Sequence, residues 1–182
     1  MRTPVPLFEA VCNQKQLTAL YLYGPIEDLS PISKLKKIDR LYLRLQRITD
    51  LRPISALTKL EHLYLGNLAK LTDYSPLAKL KNLLYLQIEG LPMAPKSVYA
   101  DDLKFLRSLK KLRGLSICDV RFPEKEYWKP ILALKKLEYL ELFKLKESER
   151  QVLLSSLPSL KYGYVVNSGK PGEPQPAYVP NT

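Results

Sequence analysis

The chain has 182 residues, of which 46% are hydrophobic and 26% charged, and its 29 Lys and Arg against 18 Asp and Glu give a net charge of +11. This length suits one domain with a sizeable core, and the composition excludes a chain that is disordered throughout. Charged residues interrupt every Leu-rich stretch, so no window reaches the ~18 consecutive apolar residues of a membrane span.

The N-terminal residues predict a helical cap over residues 1–16. Within 7–16 we expect a helix whose Leu7, Phe8 and Val11 pack onto the first strand. Pro4, Pro6 and Glu9 interrupt the apolar segment that a signal peptide needs, so we expect a cytosolic protein. The two cysteines, Cys12 and Cys118, lie far apart in the sequence, which suits a reducing compartment and indicates neither a disulfide framework nor a zinc site.

From residue 17 onward, the motif L-x-x-L-x-L recurs with successive copies beginning 21 to 29 residues apart. Self-similarity of this kind indicates stacked structural units, and each copy predicts a short strand. The first, fourth and sixth positions are Leu17, Leu20, Leu22; Ile38, Leu41, Leu43; Leu60, Leu63, Leu65; Leu83, Leu86, Ile88; Leu112, Leu115, Ile117; Leu137, Leu140, Leu142; and, in a degenerate seventh copy, Leu160, Gly163, Val165.

A second motif follows the first three strands, in segments 26–32, 48–54 and 71–77. Each has an Asp at its third position (Asp28, Asp50, Asp73) and a Pro at its sixth (Pro31, Pro53, Pro76). Asp accepts hydrogen bonds from backbone N–H groups in turns, and Pro suits the first position of a short helix. The two motifs together predict a cycle of strand, turn, short helix and return. Two later return segments, 101–109 and 147–157, have apolar residues at helical spacing and predict α-helices.

These residues resemble the leucine-rich repeat family over about residues 17–166, in particular its 22-residue class that includes internalins and a regulatory subunit of protein phosphatase 1. The resemblance implies an α/β solenoid, with a curved parallel sheet on the concave side and short 3-10 or α-helices on the convex side. It departs from the family where a buried Asn is usual after the strand, because Pro25, Gln46 and Val120 stand in that region.

The repeats predict three parts of the chain. Residues 1–16 form the N-terminal cap, and 17–167 form about seven repeats whose last, degenerate copy closes the other end. Residues 168–182 are rich in Pro and Gly, which predicts an extended tail.

The positions that alternate with the Leu core point outward from the predicted sheet, and they are rich in tyrosine. Eight of the chain's 12 Tyr fall at these positions. Because packing of the Leu core does not require them, we expect a binding surface for a folded protein partner, with Tyr and Arg as anchors. The alternative is that Tyr simply favours strands and covers neighbouring backbone. The candidate residues are Tyr21, Tyr23, Arg40, Tyr42, Arg44, His62, Tyr64 and Tyr85, with a second patch of Tyr139, Glu141, Phe143, Tyr162 and Tyr164.

Two other uses of the surface stay open. Lysines that precede the strands predict a basic ridge along one edge, which would bind nucleic acid or another polyanion, or would only keep the protein soluble. The Pro-rich tail would alternatively occupy the concave face until a partner displaces it. The ridge residues are Lys36, Lys37, Lys59, Lys81, Lys110, Lys111, Lys135 and Lys136.

Motifs for catalysis are scarce, and the sequence predicts neither an enzyme nor a metal or other cofactor. His62 is the only histidine, and no H-E-x-x-H, G-x-G-x-x-G or P-loop motif is present. Glu89, Asp119 and Glu141 are expected near one another on the concave side, but a shallow curved sheet does not offer the cleft that a glycosidase needs.

Overall fold

The computed structural model describes residues 5–90 and 98–166. The α-helices are α1 (Val5–Cys12) and α2 (Glu147–Ser156). The strands are β1 (Ala19–Gly24), β2 (Arg40–Leu45), β3 (His62–Gly66), β4 (Tyr85–Glu89), β5 (Val98–Tyr99), β6 (Gly114–Cys118), β7 (Val120–Arg121) and β8 (Tyr139–Leu142). The 3-10 helices are Ser30–Lys34, Arg52–Ala56, Ser75–Lys79, Lys104–Ser108 and Lys129–Ala133.

Six strands form one parallel sheet in the order β1-β2-β3-β4-β6-β8. The pairing is in register from repeat to repeat, so that residues at the same motif position lie side by side. The Leu and Ile positions lie under one face of this sheet and form a continuous buried core with the 3-10 helices, which pack against one another in sequence order. This arrangement confirms the predicted solenoid, and we call the opposite sheet face the concave face.

The turns after the strands have the predicted chemistry. Carboxylate oxygens of Asp28, Asp50 and Asp73 each accept a hydrogen bond of 2.8 Å from the backbone N–H two residues later, and Asp102 does the same in a later repeat. Hydrogen bonds from the Ser30 side chain and backbone lower the pKa of Asp28, and the Arg52 backbone N–H lowers that of Asp50. These bonds fix the direction in which each short helix begins.

One of the two predicted α-helices is wrong. Segment 101–109 contains the 3-10 helix Lys104–Ser108, because Asp102 sets the same turn as in the shorter repeats and Leu106 and Leu109 fill the same buried positions. The prediction for 147–157 is confirmed by α2. The backbone N–H of Lys146 donates to the Glu149 carboxylate at 2.8 Å at the start of that helix.

The helix α1 lies within the predicted N-terminal cap, but its buried residues differ from those predicted. Phe8 and Cys12 are buried, Val11 is partly buried, and Leu7 is 52% exposed. The helix α1 packs against the 3-10 helix Ser30–Lys34. Residues one turn apart therefore face the core, and Leu7 lies outside that stripe.

The degenerate seventh copy lies next to β8 and does not form a strand. Tyr162 pairs with Tyr139 as an isolated parallel bridge. Gly163 has a φ of +106°, and a Cβ atom there would overlap the backbone carbonyl of Leu140. Only glycine fits this position. The predicted tail, 168–182, lies outside the described residues.

A second, two-stranded parallel sheet was not predicted. It pairs β5 with β7, placing Val98 opposite Val120 and Tyr99 opposite Arg121. Val120, at one of the positions where the family usually has Asn, is thus engaged through its backbone. In this small sheet, β5 belongs to the long return segment between β4 and β6, and β7 follows β6 directly.

Candidate functional site

The concave face carries the residues that alternate with the core, in rows that run across the sheet. The central row places Tyr21, Tyr42, Tyr64, Gln87, Ser116 and Glu141 side by side. The row nearer the amino ends of the strands holds Ala19, Arg40, His62, Tyr85, Gly114 and Tyr139, and the row nearer the carboxyl ends holds Tyr23, Arg44, Gly66, Glu89 and Cys118. The structure therefore brings the predicted strand residues onto one face.

Four tyrosines from three strands, Tyr21, Tyr23, Tyr42 and Tyr64, form what we call the tyrosine cluster. The rings of Tyr42 and Tyr64 are stacked with centroids 3.9 Å apart and an interplanar angle of 2°. Tyr21 and Tyr23 lie 5.7 Å and 5.3 Å from the Tyr42 ring. Tyr21 is 40% exposed and Tyr23 48% exposed, so the cluster is an aromatic surface with a rigid base.

Tyr64 is the fixed base of this cluster. Its hydroxyl donates a short hydrogen bond to the Glu89 carboxylate, and its ring covers Gly66, where a Cβ atom would lie 2.6 Å from the ring. Burial and the bond to Glu89 raise the pKa of Tyr64, so its hydroxyl stays a donor. The sequence indicated that these tyrosines have no packing role, which is wrong for Tyr64 and also for Tyr139, since both are buried.

Basic side chains flank the cluster. Arg40 lies 3.7 Å from the Asp39 carboxylate, and Arg44 is exposed between Tyr23 on β1 and Gly66 on β3. The His62 ring stacks on that of Tyr85 at 4.7 Å. Burial, reinforced by Arg40, lowers the pKa of His62 below its ordinary 6.5, so the imidazole is neutral at pH 7.

The concave face is polar on the last two strands of the sheet, β6 and β8. Ser116 Oγ donates to Glu141 Oε2 at 2.6 Å, and the Tyr139 hydroxyl donates to the same oxygen at 3.2 Å. Burial raises the pKa of Cys118 to about 12, and the nearby Glu141 and Glu89 add to the effect. Cys118 is therefore a thiol and not a nucleophile at neutral pH. Asp119 does not join these carboxylates, because it sits in a left-handed turn with its carbonyl against Gly90.

The second predicted patch lies at the C-terminal end of the sheet. Tyr162 is 45% exposed, and the rings of Phe143 and Tyr164 are 4.4 Å apart. Both of those rings are only partly exposed. The patch thus has one exposed ring, whereas the tyrosine cluster has two.

A groove beside the tyrosine cluster was not predicted. It has a volume of about 300 Å³ and lies at the carboxyl ends of β1, β2 and β3. The sequence carried no pattern for it, because its walls come from turns that differ between repeats. Its lining residues are Tyr23, Gly24, Pro25, Arg44, Gln46, Arg47 and Asn67.

Four lysines of the basic ridge have a hydrogen-bond partner. Lys111 donates to Asn82 Oδ1 at 2.7 Å, and the other three donate to backbone carbonyls. Lys36 donates to the carbonyl of Ala56 at 3.4 Å, Lys110 to that of Ala133 at 3.4 Å, and Lys135 to that of Ser156 at 2.9 Å. Each of these backbone carbonyls belongs to the last residue of the helix in the next repeat. A cation at a helix C-terminus satisfies a free carbonyl and interacts favourably with the dipole.

In residues 5–90 and 98–166, no group of three His, Cys, Asp or Glu side chains is placed to hold a metal ion. Within the same residues, no helix combines the length and apolar character that crossing a bilayer requires.

Solved structures of bacterial repeat proteins are similar to this chain, whereas no protein-family model and no curated protein matches it. An internalin (inlF) from Listeria monocytogenes is 25% identical over 85% of this chain and 49% of its own, with a TM-score of 0.55. A leucine-rich repeat protein from Leptospira interrogans is 26% identical over 84% of this chain and 38% of its own, with a TM-score of 0.63. The chain spans less than half the length of those two proteins.

Internalin C2 from the same Listeria strain is 28% identical over 84% of this chain and 73% of its own, with a TM-score of 0.55. The folds of these neighbours are therefore similar to the solenoid described above. On the recurring motif, the observed solenoid and these structural matches, the chain is a leucine-rich repeat protein.

Proposed function

We propose that this protein is a non-catalytic interaction module that binds a folded protein partner through its concave face. A role in binding proteins is the use that the repeat fold supports in general terms. The finer proposal assigns the contact to the tyrosine cluster with Arg40, Arg44, His62 and Tyr85, and to the patch of Tyr139, Glu141, Phe143, Tyr162 and Tyr164.

The exposed, stacked rings of the tyrosine cluster carry this proposal. Tyr21 and Tyr23 rest on Tyr42, and Tyr42 rests on Tyr64, whose hydroxyl is bonded to Glu89. Rings held in this way lose little conformational entropy when a partner covers them. Tyr and Arg are also the residue types that most often dominate binding energy.

The other predictions about the whole protein remain proposals. We retain the cytosolic location and the division into an N-terminal cap (1–16), a repeat domain (17–167) and a tail (168–182). Polyanion binding along the basic ridge is the second candidate function, favoured by the net charge of +11. This function predicts that the protein is retained on heparin with a steep dependence on salt concentration. Elution at low salt would rule it out.

The experiment compares an exposed pair of rings on the concave face with a single exposed ring outside it. The full chain captures its partner from the native organism, and the affinity of the purified partner is then measured for Tyr21→Ala/Tyr23→Ala. We expect a loss of at least about thirtyfold, the effect of removing one interface hot spot of about 2 kcal/mol. Tyr99→Ala is the matched control, because Tyr99 is 46% exposed but lies on β5, outside the six-stranded sheet.

Both variants should retain the circular dichroism spectrum and the melting temperature, because all three rings are partly solvated. Unchanged affinity in the Tyr21→Ala/Tyr23→Ala variant would refute the concave anchor. A larger loss in the Tyr99→Ala variant would move the contact to the edge formed by β5 and β7.

A further inference from the structure

The groove beside the tyrosine cluster has an excess of positive charge. Arg44 forms no ion pair with any residue in 5–90 or 98–166. Arg47 also lines the groove, and its Nη1 donates to Glu27 Oε1 at 2.8 Å. Two guanidinium groups and one carboxylate leave one positive charge unmatched, which is complementary to a single anionic group.

Asn67 supplies a second, independent observation. This side chain lines the groove and is only 6% exposed, and no residue in the described ranges forms a hydrogen bond with its side-chain amide. Its backbone is fixed, since φ is +57° and its N–H donates to the Glu89 carbonyl at 2.8 Å. Among the described residues, the fully buried side-chain atoms that lack a partner belong to His62, Tyr74 and Trp128, so the Asn67 amide is open to the groove and available to a polar ligand there.

We infer that this groove binds the carboxylate of an Asp or Glu side chain of the protein partner, with Arg44 as the charged donor and Asn67 as the neutral donor. The inference rests on the proposed function, because it concerns the same partner. Tyr23 forms one wall of the groove and offers an apolar surface to the methylene groups of such a side chain. A guanidinium presents a fork of N–H donors that matches a carboxylate.

The unmatched charge selects a carboxylate over a phosphate group. A side-chain carboxylate carries one negative charge at pH 7, whereas a phosphate monoester carries about 1.5 to 2. Glu27, already bonded to Arg47, would repel the additional charge. The partner should therefore present an acidic side chain next to the apolar surface that covers Tyr21 and Tyr23.

An NMR titration of the isotope-labelled full chain tests the groove without the partner. The probe is acetyl-Gly-Glu-Gly-amide, and its Gln analogue is the uncharged control. We expect saturable shifts of the Arg44 Nε–H and Asn67 side-chain amide signals with the Glu peptide only. The Arg44→Gln variant should bind it roughly tenfold more weakly, as for loss of a charge-assisted hydrogen bond. The Lys161→Gln variant, with the same charge change at an exposed site away from the groove, should bind normally.

Three outcomes would overturn the inference. They are equal shifts with the Glu and Gln peptides, unchanged affinity in the Arg44→Gln variant, and stronger shifts with inorganic phosphate at matched ionic strength. Failure here is distinct from failure of the proposed function. If the peptide does not bind while Tyr21→Ala/Tyr23→Ala still loses the partner, the groove fails and the concave anchor stands. If the peptide binds while the Tyr21→Ala/Tyr23→Ala variant keeps its affinity for the partner, the groove stands and the concave anchor fails.

Discussion

Tyr74 has a buried hydroxyl group, at a position where other repeats have apolar side chains. It directly precedes the 3-10 helix Ser75–Lys79, where the corresponding residues of other repeats include Leu29 and Leu51. Tyr74 is 2% exposed, its hydroxyl has no hydrogen-bond partner within the described part of the chain, and burial raises its pKa. Its ring lies 6.4 Å from that of Phe105. We predict that Tyr74→Phe stabilises the protein.

The magnitude follows from the unmade hydrogen bond. Leaving a buried hydroxyl without a partner costs about 1–3 kcal/mol. Removing the oxygen relieves this cost, but it also removes the packing contacts of the oxygen, so only part of the cost is recovered. We expect a net increase of about 1 kcal/mol in the free energy of unfolding. For a chain of this size, that corresponds to a rise of about 2–4 °C in the melting temperature.

Tyr127→Phe is the matched control, because the same atom is removed where it has a partner. The Tyr127 hydroxyl donates to the Phe143 carbonyl at 3.2 Å. This variant should lose about 0.5–1.5 kcal/mol. Urea unfolding, followed by the fluorescence of the single tryptophan, Trp128, measures both. A destabilised Tyr74→Phe variant would mean that the hydroxyl has a partner after all, and the reasoning would be refuted.

Three further predictions concern the turns, the C-terminal end and the thiol. Gly163→Ala should destabilise the protein by at least about 2 kcal/mol in urea unfolding, since its Cβ would overlap the Leu140 carbonyl; unchanged stability would contradict this. Asp50→Ala should cost about 1 kcal/mol and Asp50→Asn much less, because Asn keeps an acceptor for the Arg52 N–H. Since the folded-state pKa of Asp50 is lowered, the advantage of Asp over Asn is present above about pH 4 and is lost as pH falls through the folded-state pKa, which unfolding curves measured down to about pH 2 would show. Cys118, with its pKa raised to about 12, should resist iodoacetamide at about pH 8 in the native protein and react in urea; rapid native labelling would contradict its burial.

The repeat architecture could be predicted because two motifs recur in step along the chain. The Asp of the second motif sets a turn through a bond to a residue two positions away, so local sequence suffices. Segment 101–109 was harder, since apolar residues three apart suit both a 3-10 helix and an α-helix. Asp102 is the residue that distinguishes the 3-10 helix from an α-helix, because it forms the same turn as the Asp residues of the earlier repeats.

The placement of the tyrosines on the concave face followed from alternation along the strands, but their burial did not. Tyr64 is covered because Gly66 leaves room for its ring and Glu89, 25 residues away, accepts its hydroxyl. The groove escaped prediction for a related reason. It depends on the side chains that follow the strands, and these differ in type from unit to unit even where a positive φ recurs at the same motif position, as at Gly24, Asn67, Asp119 and Lys144.

The central claim is that a partner covers the exposed rings of the concave face. Hydroxyl-radical footprinting of the full chain, with and without the purified partner, measures the accessibility of each tyrosine. We predict strong protection of Tyr21 and Tyr23, which are 40% and 48% exposed in the free chain, and none of Tyr99. Protection of Tyr99 with unchanged labelling of Tyr21 and Tyr23 would contradict the claim.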